Sequence, residues 1–150
     1  HNLYKFYSLK KLMYLKYHFI SCIILIMILF PFYNYLSLLV FIFGFFIDFD
    51  HYFYDIFAAK NLSLINSYKK HMDKNLIRKN QLHIFHTAEF IIPFLLLTII
   101  SKNIYLLLLC YGLLLHLILD FIYEINITLI KKQELKQTRA KSLILWLMNN

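Results

Sequence analysis

A run of apolar residues with two ionisable interruptions decides the fold class of this chain. The run has the sequence IYLLLLCYGLLLHLILDFIY and covers residues 104–123. Its length matches the roughly 20 apolar residues that an α-helix needs to cross a bilayer. His116 and Asp120 are ionisable groups of the kind that is costly at membrane depth and usually functional there. The run therefore predicts a transmembrane helix that carries part of a functional site.

Three further apolar stretches extend this prediction to the rest of the chain. They cover residues 19–33, 35–58 and 84–100 of a 150-residue chain that is 61% hydrophobic and 19% aromatic. This composition lies well outside the range of soluble domains. Together with residues 104–123, the stretches predict an all-α fold, an integral membrane bundle of about four transmembrane helices in a single domain over residues 1–150.

Residues 19–33 also have the length and position of the apolar region of a signal peptide, since four lysines precede them. However, residues 31–35 have the sequence PFYNY, which contains no small-residue cleavage site. We therefore expect the first span to be retained.

The positive charges are distributed unevenly between the connections. Of the sixteen Lys and Arg residues, fifteen lie before the first span, between residues 60 and 82, or after the fourth span, and only Lys102 lies elsewhere. Short loops rich in Lys and Arg remain cytoplasmic. We therefore expect both termini and the loop at 60–82 to lie on the cytoplasmic side of the plasma membrane of a bacterium or archaeon. The net charge of +8 then indicates contact with anionic lipid headgroups rather than with nucleic acid.

The C-terminal segment combines basic residues with spaced apolar ones. Over residues 131–148, Lys and Arg alternate with Leu135, Leu143 and Leu147, and Trp146 lies near the end. This pattern predicts a basic amphipathic helix on the inner membrane surface, with the tryptophan at the interface.

Three groups of histidines and carboxylates form the candidate site. They are, in chain order, Asp48, Asp50 and His51; His83, His86 and Glu89; and His116 with Asp120. Many of these residues are three or four positions apart, which places them on one face of a helix. The predicted topology puts all three groups at the cytoplasmic ends of their spans, so we expect them to form one site.

Imidazole and carboxylate groups are ligands of zinc, and also of manganese and iron. The expected ligands of one or two such ions are Asp48, His51, His83, His86, His116 and Asp120. Glu89 is a further candidate ligand or general base. Asp50 points away from its neighbours on an ideal helix, and we expect it to support a ligand or take part in catalysis.

Two other residues carry expectations of their own. His18 stands alone in the first span, and we expect it to hydrogen-bond a neighbour rather than bind a metal. Gly112 precedes His116 by one turn and is expected to allow another helix to approach closely.

The order of these motifs resembles that of the YdjM-type family of membrane-bound metal-dependent hydrolases, over residues 44–120. The matching residues are Gly44, Asp48, Asp50 and His51 in the first motif, and Gly112, His116 and Asp120 in the last. In the middle motif the family separates its histidines by five positions, whereas His83 and His86 are three apart. The family is considered distantly akin to zinc-dependent phospholipase C. The resemblance implies a hydrolase that acts on a phosphoester or lipid headgroup at the cytoplasmic face through metal-activated water.

Two other functions use the same residues. A transporter would gather His and Asp along an ion path, although the outer halves of the predicted spans are almost entirely Leu, Ile and Phe. A membrane scaffold would use the polar groups only as hydrogen bonds between helices.

Overall fold

Contacts divide the chain into two compact units. Unit 1 contains the residues up to Phe46 together with Lys102–Asp120, and unit 2 contains Ile47–Ser101 and the residues from Phe121 onward. The computed structural model describes residues 13–60, 62–63, 65–67, 69, 78–130 and 137–149.

Unit 1 is built from helices. Its elements are α1 (Met13–Tyr33), a 3-10 helix (Asn34–Leu39), α2 (Val40–Phe45) and most of α5 (Ile104–Ile125). The segment between α1 and α2 begins with Asn34 in the left-handed region, at φ 48°, which asparagine tolerates better than most residues.

The chain reverses direction at this asparagine. The ring centroids of Phe30 and Tyr35 are 5.8 Å apart, next to the turn, and those of Phe19 and Phe45 are 5.7 Å apart, far from it. The α2 segment therefore packs back along α1. This turn lies where the sequence predicts the connection between the first two spans.

The core of unit 1 joins all three helices. Ile26 of α1, Val40 of α2 and Leu108 of α5 form a buried cluster. Beside it, a Cβ atom on Gly112 would overlap the backbone carbonyl oxygen of Val40 and lie 2.9 Å from the backbone nitrogen of Gly44. The predicted role of Gly112, close helix approach, is confirmed.

Unit 2 combines helices with a small sheet. Its elements are a 3-10 helix that ends at Phe49, α3 (Asp50–Ala59), β1 (Arg78–Gln81), a 3-10 turn (Ile84–His86), α4 (Ala88–Ser101), a π-helical turn (Asn126–Ile130), β2 (Gln137–Arg139) and α6 (Leu143–Met148). The helix α3 ends at Lys60, whose φ of 49° gives it a left-handed C-cap.

The C-terminal segment differs from the prediction of one amphipathic helix over residues 131–148. Gln137–Arg139 forms a strand that pairs in parallel with Arg78–Gln81, and within the described residues 137–149 only Leu143–Met148 is helical. The physical reason is that backbone groups at 137–140 bond to the earlier strand, as Ala140 N–H does to the Gln81 carbonyl at 2.8 Å, instead of to their own helix.

Within the described part of the chain, two helical segments are long and apolar enough to cross a membrane. They are the run Lys16–Ile56, which includes the turn at Asn34, and α5. Only 28% of the most apolar window of α5 is buried within the chain, so most of this surface is left for another apolar environment such as lipid. The helix α4 has 14 residues, about 21 Å at 1.5 Å per residue, and is shorter than a hydrocarbon core of about 30 Å. The predicted bundle of four spans stays a prediction.

Candidate metal centres

Unit 1 brings three ionisable side chains together at one end of its core. The helix α5 carries His116 and Asp120 on one face, and α1 contributes His18. The Asp120 carboxylate contacts both histidines: its Oδ2 lies 3.2 Å from His116 Nε2, and its Oδ1 lies 3.4 Å from His18 Nε2. The two imidazole rings stack at a centroid distance of 4.3 Å. One ligand atom from each residue lies within 4.8 Å of the others, so these buried groups could hold a metal ion.

The second ring nitrogen of His116 fixes its protonation. His116 Nδ1 lies 3.2 Å from the Gly44 carbonyl oxygen, which can only accept, so the proton of the neutral ring is on Nδ1. The lone pair of Nε2 then points toward the Asp120 carboxylate. Two electron pairs this close repel each other unless a proton or a metal cation lies between them.

The spacing is compatible with a bound metal ion. Charge-assisted N–H···O bonds usually measure about 2.7–2.9 Å, shorter than the 3.2 Å and 3.4 Å contacts at Asp120. Two donors that bind one tetrahedral ion at about 2.0–2.1 Å lie about 3.3–3.4 Å apart. Two histidines and one carboxylate also form the three-ligand set of catalytic zinc sites, which leave a fourth position open.

The expectation that His18 hydrogen-bonds a neighbour rather than binds a metal stays a prediction, and the structure adds His18 to a group that could hold a metal ion. Its ring is buried against His116, and its Nε2 shares Asp120 with that histidine. The buried Nδ1 of His18 has no hydrogen-bond partner among the described residues. The sequence signal for this is position, because His18 follows Lys16 at the start of the first predicted span.

Unit 2 gathers four of the predicted residues around the start of α3. Asp50, which is 3% exposed, lies between two histidines, with Oδ2 3.0 Å from His86 Nδ1 and Oδ1 3.5 Å from His83 Nδ1. The other nitrogen of His86, Nε2, lies 3.9 Å from Asp48 Oδ1. Asp50 thus fixes the His86 ring so that Nε2 is presented to Asp48, the arrangement in which a carboxylate orients a metal-ligating histidine.

Burial sets the charge state of the other histidine. Desolvation lowers the pKa of His83, against the opposing effect of the nearby Asp50 carboxylate. The neutral ring is the form that binds metals, so His83 is chemically suited to the ligand role predicted for it.

The turn that carries these histidines is fixed by local and distant hydrogen bonds. Thr87 Oγ1 donates to the Ile84 carbonyl at 2.8 Å and closes the 3-10 turn. At the next residue, Ala88 N–H donates to the Lys141 carbonyl at 2.9 Å. Trp146 Nε1 donates to the Asn80 carbonyl at 2.8 Å. The C-terminal segment therefore supports the part of the chain that holds His83 and His86.

Glu89 contacts the C-terminal segment, and its predicted role as a ligand or general base stays a prediction. Its carboxylate accepts hydrogen bonds from the Ser142 hydroxyl, from Leu143 N–H at 2.9 Å and from Ile144 N–H at 3.2 Å. These are the unpaired donors at the start of α6, where a negative charge is also favoured by the helix dipole. Glu89 caps α6 and so ties the first turn of α4 to the C-terminal segment.

Two parts of the prediction remain open. The side chain of His51 lies outside the described residues, although its backbone belongs to α3. The expectation that all three groups form one site stays a prediction.

Comparison of the chain with protein-family models, with curated proteins and with solved structures finds no match. The resemblance to membrane-bound metal-dependent hydrolases therefore depends on the motifs around Asp48 and His116 alone.

Proposed function

We propose that the protein is a membrane-bound metal-dependent hydrolase that cleaves a phosphoester or a lipid headgroup at the cytoplasmic face. The observation that carries the proposal is the orientation of His116. Its Nδ1–H donates a hydrogen bond to the Gly44 carbonyl, and its Nε2 faces the Asp120 carboxylate at 3.2 Å. Two candidate membrane spans and the motif order support it further. The proposal includes four spans with both termini in the cytoplasm.

Zinc is the proposed metal, with manganese or iron as alternatives. Two imidazoles and a carboxylate suit zinc, and the same set with open positions occurs around non-haem iron. When bound, such an ion lowers the pKa of a coordinated water toward neutrality and polarises a phosphoryl oxygen. His18, His116 and Asp120 would hold one ion in unit 1, and His86 would bind another in unit 2.

The three carboxylates of unit 2, Asp48, Asp50 and Glu89, differ in exposure and in the contacts they make, and these differences indicate which one can accept a proton. Asp50 is buried between two histidines, and Glu89 caps a helix, so both are committed to positioning. The Asp48 side chain is 24% exposed and lies beside His86 Nε2. A proton acceptor must meet water and substrate, so we assign this task to Asp48 rather than to Asp50 or Glu89.

The first test is metal content. Tag-free protein purified in detergent is analysed by mass spectrometry for bound metals, as the native chain and as His116→Ala. His71→Ala is a matched control, because that histidine belongs to none of the three groups in the sequence. We expect a stoichiometric transition metal in the native protein and the control, and its loss in His116→Ala. A native protein without bound metal would refute the proposal.

The second test is turnover. The metal-loaded protein is incubated with a soluble phosphodiester and with a panel of phospholipids in nanodiscs, with and without chelator. We expect hydrolysis that chelation abolishes and that Asp48→Asn reduces while metal remains bound. Bound metal with no hydrolysis of any substrate in the panel would instead favour transport or regulation.

A further inference from the structure

Unit 2 contains a pocket whose wall includes Asp50. The pocket measures about 380 Å³, within the range of small-molecule sites. Its other walls are apolar or aromatic side chains of α3, of the 3-10 turn and of α6, including Phe53, Leu82, Phe85 and Trp146. Asp50 is the one charged residue in this lining.

The lining limits which part of a molecule can enter. A polar ligand needs several fixed donors and acceptors to be oriented in a pocket, and the lining presents almost none apart from the Asp50 carboxylate. Aromatic and aliphatic walls suit a hydrocarbon chain, which requires only removal from water. A positively charged group at the end of the same molecule would then lie beside the Asp50 carboxylate.

Trp146 is held in the position that closes this pocket. Its indole N–H donates to the Asn80 carbonyl at 2.8 Å, which fixes the ring, while its neighbours Leu145 and Leu147 are 60% and 63% exposed. The ring is therefore part of a formed wall and is distinct from the exposed apolar face of α6.

We propose that this pocket binds the hydrocarbon chain of a phosphoester lipid, with the ammonium group of the lipid's headgroup at the Asp50 carboxylate. The inference rests on the proposed function for the headgroup chemistry and adds to it the substrate class, a lipid rather than a soluble phosphoester.

Occupancy can be measured without turnover, because Trp146 is the only tryptophan in the chain. The protein is reconstituted into nanodiscs of phosphatidylcholine that carries bromine atoms on one acyl chain, and Trp146 fluorescence is compared with that in unbrominated lipid. We expect strong quenching in the native protein. Leu82→Phe and Ile84→Phe narrow the pocket and are expected to lose most of it. Ile84 is 50% exposed, so its variant is well tolerated.

The control is Ile92→Phe, which makes the same kind of change at a 56% exposed position on α4 that does not line the pocket. In this variant the brominated lipid is expected to quench Trp146 fluorescence as strongly as in the native protein. Equal quenching in native protein, pocket variants and control would show that the tryptophan meets lipid only at the bilayer surface and would overturn the proposal, as would absence of quenching. Quenching that depends on the pocket, without hydrolysis of any substrate, would support the lipid pocket and refute the proposed function. Hydrolysis of a soluble substrate without quenching would support the proposed function and refute the lipid pocket.

Discussion

The substitution Gly112→Ala tests whether the metal-binding geometry of unit 1 depends on backbone contact between helices. The new Cβ would overlap the Val40 carbonyl oxygen and lie 2.9 Å from the Gly44 backbone nitrogen. Both obstacles are backbone atoms, so no side chain can rotate away. Ordinary contact at about 3.4 Å requires the two backbones to separate by about 0.5 Å at Gly44 and by more at Val40.

This separation acts on the metal site, because the backbone that moves also holds His116. The His116 Nδ1 to Gly44 carbonyl distance would increase from 3.2 Å to about 3.7 Å, beyond hydrogen-bond range. Overpacking costs about 1–3 kcal/mol and the lost hydrogen bond about 1 kcal/mol, while replacing a helical glycine by alanine gains about 1 kcal/mol. We expect a net loss of about 1–3 kcal/mol in unfolding free energy.

The assay is denaturant unfolding of the detergent-solubilised protein, combined with metal analysis. Gly112→Ala should unfold earlier and retain less metal. A matched comparison comes from Gly44→Ala, whose Cβ would overlap the sulfur of Cys22. Because that obstacle is a side chain, Cys22→Ala should relieve it, and should not rescue Gly112→Ala. If Gly112→Ala were instead more stable by about 1 kcal/mol, as helix propensity alone predicts, the close-contact argument would be refuted.

Three further substitutions separate ligands from positioning residues. His18→Ala removes one of the two imidazoles beside Asp120 and should lower metal content by mass spectrometry; unchanged metal content would exclude His18 as a ligand. Asp50→Asn should weaken metal affinity about 10–100-fold in chelator competition, the usual effect of losing a carboxylate that orients a ligating histidine, and native-like affinity would contradict the role given to Asp50. Glu89→Gln should lower the melting temperature through loss of the cap at Ser142 and leave metal content unchanged, whereas metal loss with an unchanged melting temperature would restore Glu89 as a ligand.

The helices of unit 1 follow from the sequence because their determinants are local. The apolar run at 104–123 predicts α5, which extends over Ile104–Ile125, and Asn103 begins it by accepting a hydrogen bond from Tyr105 N–H at 2.8 Å. The turn at Asn34 falls between two apolar runs, where an asparagine can take a positive φ. Each of these features depends on residues within a few positions of one another.

The strands of unit 2 were not predictable in the same way. Arg78–Gln81 and Gln137–Arg139 are short and polar, and neither alternates apolar with polar residues, which is the signal of a strand. Their pairing joins distant parts of the chain and depends on backbone hydrogen bonds that composition does not encode. The charges and leucines of the tail favoured a helix by periodicity, but tertiary pairing prevailed over that local preference.

Some contacts of the candidate site likewise follow from residues close together in the sequence, whereas others depend on distant parts of the chain. His116 and Asp120 are four residues apart on one helix, so their contact follows from helical periodicity alone. His18 reaches them only because Gly112, Gly44 and the turn at Asn34 bring α1 and α5 together, and no pattern around His18 contains that information. The predicted depth of His18 in the membrane does indicate which residues it contacts. Ionisable groups at the same level of adjacent spans have few partners other than one another. A histidine that looks isolated in the sequence of a membrane protein is therefore better assessed by its distance from the basic flank of its span than by its neighbours along the chain.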